Sequence, residues 1–382
     1  MMERISILLI LESTIGGSFK HVLLLARHLP KDKYKVSVAL SHLRNSNSIE
    51  HARQLEEEGI KVYNIPMKRS ISMLSDLTAF GKIIRLFKSE SFHIVHTHSS
   101  KAGFLGRMAS VFFNFKVVHT PHCFAFQEKE GWARYAFLLL ERFAAMFCER
   151  IIAVSTGEYN LILDEHIASA RKISLIINAI DENEIVVSNE IPALKNRLGI
   201  LPQDKIILGV GRLAKQKDWV KFIEIAAKVL YREKHVCFLI VGSGEESEYL
   251  YRLICKLGLE QKIILTGYVT EIYTMYSVAD IFVITSLWEG LPYVILEAMM
   301  MKLPVVATNI PGNQDLITDR ENGFLFEPDQ NDDAVIILQK LLNDDCYIHR
   351  IGMRGYEYLK ANNSFDKFLN NHMRLYQSLL SN

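Results

Sequence analysis

Short runs of branched apolar residues alternate with segments of helical period along nearly all of the 382 residues. ILLIL near the start, then IVHT, VVHT and IIAV, and later IILGV, VCFLIV, IILTG, IFVIT and VVAT, carry no polar alternation. A strand that is apolar on both faces belongs inside a parallel sheet covered by helices, and parallel neighbours require a crossover helix between them. That constraint leaves the α/β class. Strands are expected near 4–11, 35–40, 60–64, 93–96, 116–120, 151–154 and 173–177, then near 206–210, 236–241, 262–266, 280–284, 304–307 and 323–326. Helices are expected between them, among them 18–29, 217–232, 246–257, 271–278, 293–302 and 331–342.

A chain of this length exceeds one ordinary core, so two domains are predicted. The stretch ENEIVVSNEIPALKNRLGILPQD at 182–204 has two prolines and no clear period, which marks a linker. The expected division is a first Rossmann-like domain over 1–185, a linker over 186–204, a second over 205–362, and a closing helix over 363–382 that packs back on the first domain. The architecture is then two doubly wound parallel-sheet domains facing across a cleft. Ligands of open α/β sheets sit at the carboxyl ends of strands, so functional residues belong on the loops that follow them.

Composition removes several function classes. The formal net charge is +1, with no clustered basic face of the kind nucleic-acid binders need. The 5 cysteines form no CxxC or Cys/His ligand spacing, which argues against disulfides and structural zinc and for a reducing cytoplasm. The N-terminal apolar run follows an acidic residue and is too short for a signal peptide or a span. RYAFLLLERFAAMFCERIIAVS is interrupted by Glu141, Arg142, Glu149 and Arg150, which excludes a transmembrane helix.

Three loops after predicted strands carry candidate chemistry. In ILGVGRLAKQKDW, Arg212 and Lys217 lie between a strand and a helix start. Backbone amides already make that end positive, so two cations there point to a ligand with several negative charges, such as a phosphate. Solvated surface charge is the plain alternative, and it suits Lys215. In SLWEGLPYVILEAMM, Glu289 sits in the turn beside the amides of Gly290, Leu291 and Tyr293, and Pro292 suits the first helical turn. Glu297 lies deeper in the helix, between Leu296 and Ala298, where an unpaired carboxylate is costly. The two acids therefore touch different parts of one extended ligand, with a phosphate between hydroxyl-bearing rings. In LESTIGGSFKHV, Gly16 and Gly17 allow close backbone approach to a ligand and Ser18 is a candidate helix cap. The spacing is not GxGxxG, and the glycines of VGSGEE read as a tight turn.

Ten of the 13 histidines precede residue 191, and several cluster in HIVHTHSSKAGFLGR and VVHTPHCFAF. His96, His98, His119 and His122 offer imidazoles for metal, yet no Glu or Cys completes a familiar ligand spacing. His96 and His119 read as structural. His98 and Ser99 are candidates for the acceptor side, and His122 for contact with a reacting group.

Taken together, VGRLAKQKD, the stretch from GYVTEIYTMY to VVATNIPG, and ENGFLFEP resemble the family-4 retaining glycosyltransferases of the GT-B fold. The likeness extends to the N-terminal GG loop, HTHSSKAGFLGR, NAID at 178–181 and the closing helix, and it is closest to bacterial surface-polysaccharide members. Glu289 and Glu297 match that family's E-x7-E element. The resemblance implies that Glu297 holds ribose hydroxyls and Glu289 the donor sugar. Arg212, Lys217 and the amides of Gly290 and Leu291 would carry the diphosphate, and Gly16 and Gly17 would approach it from the other domain. His122 matches a histidine near the donor sugar, and no metal or other cofactor is implied. The implied reaction moves a sugar with retention from a nucleotide sugar, with UDP the expected nucleotide, to a glycan or lipid-linked acceptor. Its setting would be capsule, exopolysaccharide or lipopolysaccharide assembly, in the cytoplasm at the inner face of the membrane. Lys68, Arg69, Lys82, Arg85 and Lys88 are candidates for peripheral contact with anionic lipid, against a merely solvated helix face. A nucleotide-sugar epimerase on the same fold and a non-catalytic sugar-nucleotide binder are the alternatives. Leu303, Ala179, Asp218 and Asp315 depart from residues usual in the family, and none of them removes a charged donor contact.

Overall fold

The computed structural model describes residues 4–43, 48–68, 70–187 and 191–381. The chain divides into two compact units, Met1–Asn178 with Phe365–Asn382, and Ala179–Ser364. The first holds strands β1 (Ile5–Ile10), β2 (Tyr34–Leu40), β3 (Lys61–Asn64), β4 (Ile94–His98), β5 (Lys116–Thr120), β6 (Arg150–Ala153) and β7 (Ile173–Leu175). The second holds β8 (Lys205–Val210), β9 (Val236–Val241), β10 (Ile263–Gly267), β11 (Ile281–Ile284), β12 (Val305–Thr308) and β13 (Phe324–Phe326).

Among the described residues the sheet orders are β3-β2-β1-β4-β5-β6-β7 and β10-β9-β8-β11-β12-β13. All of their pairings are parallel. Both are doubly wound, and the order reverses between β1 and β4 in one and between β8 and β11 in the other. Those reversals open a crevice at the carboxyl ends of the strands. The central strands are fully buried, as Ile7–Ile10 and Phe238–Ile240 show, which accounts for their unbroken apolar runs.

The helix Trp219–Arg232 shows how each layer is fixed. Phe222, Ile223, Ile225, Ala226, Val229 and Leu230 are buried on one stripe, and each large side chain removed from water contributes about 1.5–3 kcal/mol. The rings of Trp219 and Phe222 lie over Gly209 of β8, where an added Cβ would stand 2.7 Å from Phe222 Cε2. Any larger residue at 209 would lift the helix from the sheet.

Three local expectations are corrected. The segment read as a linker contains the helix Ile191–Arg197, and it lies within the second unit, whose boundary falls at Ala179. Buried Leu194 and Ile200 anchor this stretch, an apolar pair too sparse to show as a period. Residues 188–190 of the same segment lie outside the described residues. The first helix starts at Gly17 with Gly16 as N-cap, so Ser18 lies inside the helix and does not cap it. Gly16 has φ 81° and ψ −173°, a backbone region essentially restricted to glycine. Pro292 is the N-cap of the helix Tyr293–Met300, one place ahead of its expected position.

The closing helix, Phe365–Leu380, belongs to the first unit, with Phe368, His372, Leu375, Tyr376 and Leu379 buried. Leu369 and Met373 of this helix are only half-buried, while His372 takes a core position. No described helix is long and apolar enough to cross a membrane.

Candidate functional site

In the second unit the candidate residues sit where β8 and β11 end, at the reversal of strand order. Lys215–Lys217 form a single 3-10 turn, and the helix begins only at Trp219. Lys217 is therefore not in the first helical turn as expected. The chain is redirected at Asp218, which has φ 48° and ψ 55°. Asp tolerates this left-handed conformation better than most residues, which explains how it stands where the family usually has glycine. It also caps the helix: its Oδ1 accepts the Lys221 amide at 3.4 Å, and its Oδ2 lies 2.7 Å from Lys221 Nζ.

That turn delivers Lys217 to Glu289. Lys217 Nζ lies 2.5 Å from Glu289 Oε1, and the Ser286 hydroxyl donates to the same oxygen at 2.6 Å. The two charged side chains are 15% and 8% exposed, so the pair is nearly removed from water. Several bonds brace the two loops against each other. Thr285 Oγ1 reaches the carbonyls of Lys217 and Asp218 at 2.9 and 3.0 Å. Gln216 donates to the Trp288 carbonyl at 2.9 Å, and the Leu287 amide donates to the Gln216 carbonyl at 2.8 Å. Arg212 is partly exposed in the loop after β8, and its carbonyl accepts the Trp219 indole N–H at 2.9 Å. Gly290 and Leu291 are buried just ahead of the helix Tyr293–Met300.

Glu297 is also buried, and the Tyr276 hydroxyl donates to its Oε2 at 2.8 Å. Burial, reinforced by the Glu297 charge, raises the Tyr276 phenol well above its ordinary value, so it stays a neutral donor. Tyr293 shifts the same way for the same two causes. Residues 289 and 217 thus converge directly, whereas Glu297 is held by a separate partner, Tyr276, that sequence reasoning did not single out.

Three glycines build the walls of this region. A Cβ on Gly242 would stand 1.9 Å from the Gly211 carbonyl, and one on Gly244 would stand 2.2 Å from the Leu213 carbonyl. VGSGEE is therefore a support for the Arg212 loop, further tied by Leu213 N to Ser243 O at 3.0 Å. On the other side, a Cβ on Gly312 would stand 2.7 Å from the Glu289 carbonyl. Lys302, just past the Met301 C-cap of the helix Tyr293–Met300, has φ 59°.

In the first unit, β4, β5 and the helix Gly17–His28 bring five histidines into ring contact or near it. His96 donates or accepts at both nitrogens, with the Tyr376 hydroxyl at 2.7 Å and Thr120 Oγ1 at 2.8 Å. His119 Nδ1 lies 3.0 Å from Thr97 Oγ1, beneath Gly103, where an added Cβ would stand 2.3 Å from the ring. His98 Nδ1 and His122 Nε2 are 3.1 Å apart. His21, absent from the sequence candidates, packs edge-on against His122 with centroids 4.8 Å apart, and its Nδ1 meets Asn178 Oδ1 at 3.0 Å. A histidine inside an amphipathic helix has no signal of its own, which is why it went unread.

Burial drives the imidazoles down: His21, His96, His98 and His119 fall well below their ordinary range, and His122 falls to about 3 with His372 as the second cause. Backbone strain concentrates at the same strand ends. Ser99, His122 and Cys123 have φ of 58°, 59° and 131°, conformations that cost about 1–3 kcal/mol each and persist where the surroundings over-determine them. Glu12, also unread in the sequence, accepts the Ser99 hydroxyl and the Ala102 amide, joining the end of β1 to the helix Ser100–Ser110.

Similarity to known proteins identifies the family. Residues 190–358 match the family described as glycosyl transferases group 1, and residues 15–184 match glycosyltransferase family 4. An Escherichia coli UDP-Gal:alpha-D-GlcNAc-diphosphoundecaprenol alpha-1,3-galactosyltransferase is 33% identical over 296 residues, covering 75% of this chain and 76% of the relative. The capsular polysaccharide biosynthesis glycosyltransferase CapM of Staphylococcus aureus is 28% identical over 335 residues, covering 83% of this chain and 86% of the relative. Among solved structures, Anabaena HepE in complex with UDP and glucose superposes with a TM-score of 0.84 at 21% identity, covering 98% of this chain and 100% of that one. Two Rossmann-like units, a family match in each half and a relative aligned over three quarters of its length lead to one conclusion: the chain belongs to the family-4 glycosyltransferases, with the GT-B fold.

Proposed function

We propose that this glycosyltransferase moves a sugar, with retention and without a metal, from a UDP-sugar to a glycan or lipid-linked glycan in surface-polysaccharide assembly on the cytoplasmic side of the membrane. The Lys217–Glu289–Ser286 cluster at the strand reversal carries this reading. An ammonium has three protons, and Lys217 uses one on Glu289, leaving two for phosphate oxygens. Arg212 and the amides of Gly290 and Leu291 complete the diphosphate site. Glu289 holds the donor sugar, and Glu297, set by Tyr276, holds the ribose hydroxyls. His98, Ser99 and His122 serve the acceptor side and the reacting group, with Gly16 and Gly17 giving the backbone close access.

Breaking the sugar–phosphate bond leaves an oxocarbenium-like carbon and adds charge to the diphosphate. Fixed cations that stabilise that charge supply the main catalytic term. In a front-face process the departing phosphate takes the acceptor's proton, so no side chain is assigned as general base. The names of the E. coli and S. aureus relatives support a lipid-linked or capsular acceptor.

The test is mass-detected transfer from a panel of nucleotide sugars in the presence of EDTA, with the product's anomeric configuration read by NMR. Retained configuration and EDTA-insensitive transfer are expected. An inverted product or loss of transfer in EDTA would overturn the mechanism, and conversion of donor without acceptor would favour an epimerase.

Peripheral membrane contact has one supporting feature. Ile71, Met73, Leu74 and Leu77 are exposed at the start of the helix Met73–Ser89, and Lys82, Arg85 and Lys88 are exposed further along it. Lys68 is exposed as well, and Arg69 lies outside the described residues. Apolar insertion flanked by cations suits an anionic bilayer. Cosedimentation with anionic vesicles that weakens with salt is expected, and its absence at low salt would end this part of the proposal.

A further inference from the structure

We propose that the helix Gly131–Ala145 is a self-association surface, on which a second copy of the chain packs antiparallel about a two-fold axis near Leu139. The helix carries the apolar run RYAFLLLERFAA, which the transfer chemistry does not use. Its charged side chains all turn to the protein. Arg134 pairs with the Glu165 carboxylate, and Arg142 donates to the Glu165 carbonyl at 2.8 Å. Glu141 is buried against Arg107 at 2.8 Å, and Glu149 beyond the helix accepts the Val117 amide at 2.6 Å. The outward face is left to Trp132, Tyr135, Leu139, Leu140 and Phe143, and it continues to Met146 at the C-cap. All but Leu140 follow the spacing i, i+3, i+7, i+11, i+14, which places them on one stripe of a helix.

Area, composition and charge select the occupant. Trp132 is 84% exposed, and these side chains together present on the order of 700 Å² of mostly apolar surface. The largest apolar patch of a typical monomer covers about 300–600 Å², whereas one side of a stable protein interface covers about 800 Å². Aromatic residues and Met are the types enriched at interface cores. The two ends of the stripe differ in sign. Glu130 is exposed at the N-cap, while at the other end Lys172 reaches the Met146 carbonyl at 3.4 Å, next to exposed Arg171. In an isologous contact the same patch serves both copies. Antiparallel helices then set Glu130 of each copy against Lys172 of the other, twice per dimer, whereas parallel helices would set like charges together. A membrane-surface helix is instead rich in Lys and Arg around its apolar face. Here both arginines of the helix are committed to Glu165, and the exposed Glu128, Lys129 and Glu130 leave its start net negative. Opposite signs at the two ends suit a second copy of the chain rather than an anionic bilayer.

The experiment follows sedimentation velocity of the full chain from sub-micromolar to tens of micromolar concentration. A reversible monomer–dimer equilibrium is expected. Leu139→Glu and Phe143→Glu set like charges together near the axis and should each weaken association by about 100-fold or more. Glu130→Lys or Lys172→Glu alone should weaken it by about 5–10-fold, and the two together should restore it. Tyr231→Glu alters an exposed residue of the second unit and should change nothing. Oxidative cross-linking, with the exposed Cys346 replaced by Ser, places the axis. Leu139→Cys should link to itself, and Trp132→Cys should not, because two-fold symmetry sets its copies roughly 20 Å apart. Circular dichroism checks the folding of every variant. A chain that stays monomeric at tens of micromolar, a dimer untouched by Leu139→Glu, or Trp132→Cys linking as readily as Leu139→Cys would each overturn the proposal. So would a monomer that cosediments with phosphatidylglycerol vesicles and loses this in Leu139→Glu, which would give the face to a bilayer. If Leu139→Glu does not fold, the charge exchange and the cross-links decide the question.

Discussion

Replacing Lys217 by Met separates two roles that the ion pair with Glu289 combines. Breaking a buried pair by removing one partner costs about 3–5 kcal/mol, because the remaining charge is left uncompensated. Here Glu289 keeps 8% exposure and the Ser286 hydroxyl at 2.6 Å, which brings the expected cost to about 2–3 kcal/mol. For a unit the size of Ala179–Ser364, that lowers the unfolding midpoint by about 5–10 °C. Transfer should fall by about 10²–10³ through loss of a preorganised cation. The double variant Lys217→Met/Glu289→Gln removes both charges, so most of the stability should return, with a coupling of about 2 kcal/mol. Transfer should not return, because the diphosphate still lacks its cation. Calorimetry and a nucleotide-sugar transfer assay on both variants and on Glu289→Gln complete the cycle. Recovery of transfer in the double variant would show that the pair is only structural, and an unchanged midpoint in the single variant would show that Glu289 does not depend on Lys217.

Tyr276→Phe removes the hydroxyl that donates to Glu297 at 2.8 Å; the second unit should lose about 1.5–3 kcal/mol by denaturant titration, with weaker UDP binding by calorimetry. Gly242→Ala forces the loop off the Gly211 carbonyl and should cost about 1–3 kcal/mol together with nucleotide affinity, whereas Gly81→Ala, with no atom within 4 Å, should leave affinity unchanged. Glu158 is buried and its carboxyl is pushed up to about 7, burial outweighing its bonds from the Val154 and Cys123 amides. A folded pKa above the unfolded one gives stability that is fully present below about pH 4.5 and lost as pH rises through 7, by about 3 kcal/mol in all. Urea midpoints of Glu158→Gln relative to the parent chain should therefore rise from pH 5 to pH 8, and a pH-independent difference would contradict the assignment.

Strands were legible because burial on both faces writes itself as uninterrupted branched apolar runs, and the central strands here have almost no exposed residue. The helix Ile191–Arg197 was not legible, since only Leu194 of its seven residues is buried. The site divides the same way. Glu289 and Glu297 stand out because charge interrupts apolar surroundings, and Arg212 and Lys217 because cations stand between a buried strand and a helix start, contrasts visible along one chain. Tyr276, Gly242, Gly244, Glu12 and His21 act through neighbours distant in sequence. Tyr276 reaches Glu297 across 21 positions, and His21 reaches Asn178 across 157. Local pattern carries no trace of such partners. The left-handed Asp218 was read as a departure from glycine, and its meaning emerged only with its φ of 48° and its cap on Lys221.

A crystal structure of the full chain with UDP bound tests the donor site most directly. The account predicts the diphosphate within hydrogen-bonding distance of Arg212, Lys217 and the amides of Gly290 and Leu291, with the ribose hydroxyls on Glu297. A nucleotide seated away from the ends of β8 and β11, or one whose ribose does not meet Glu297, would contradict it.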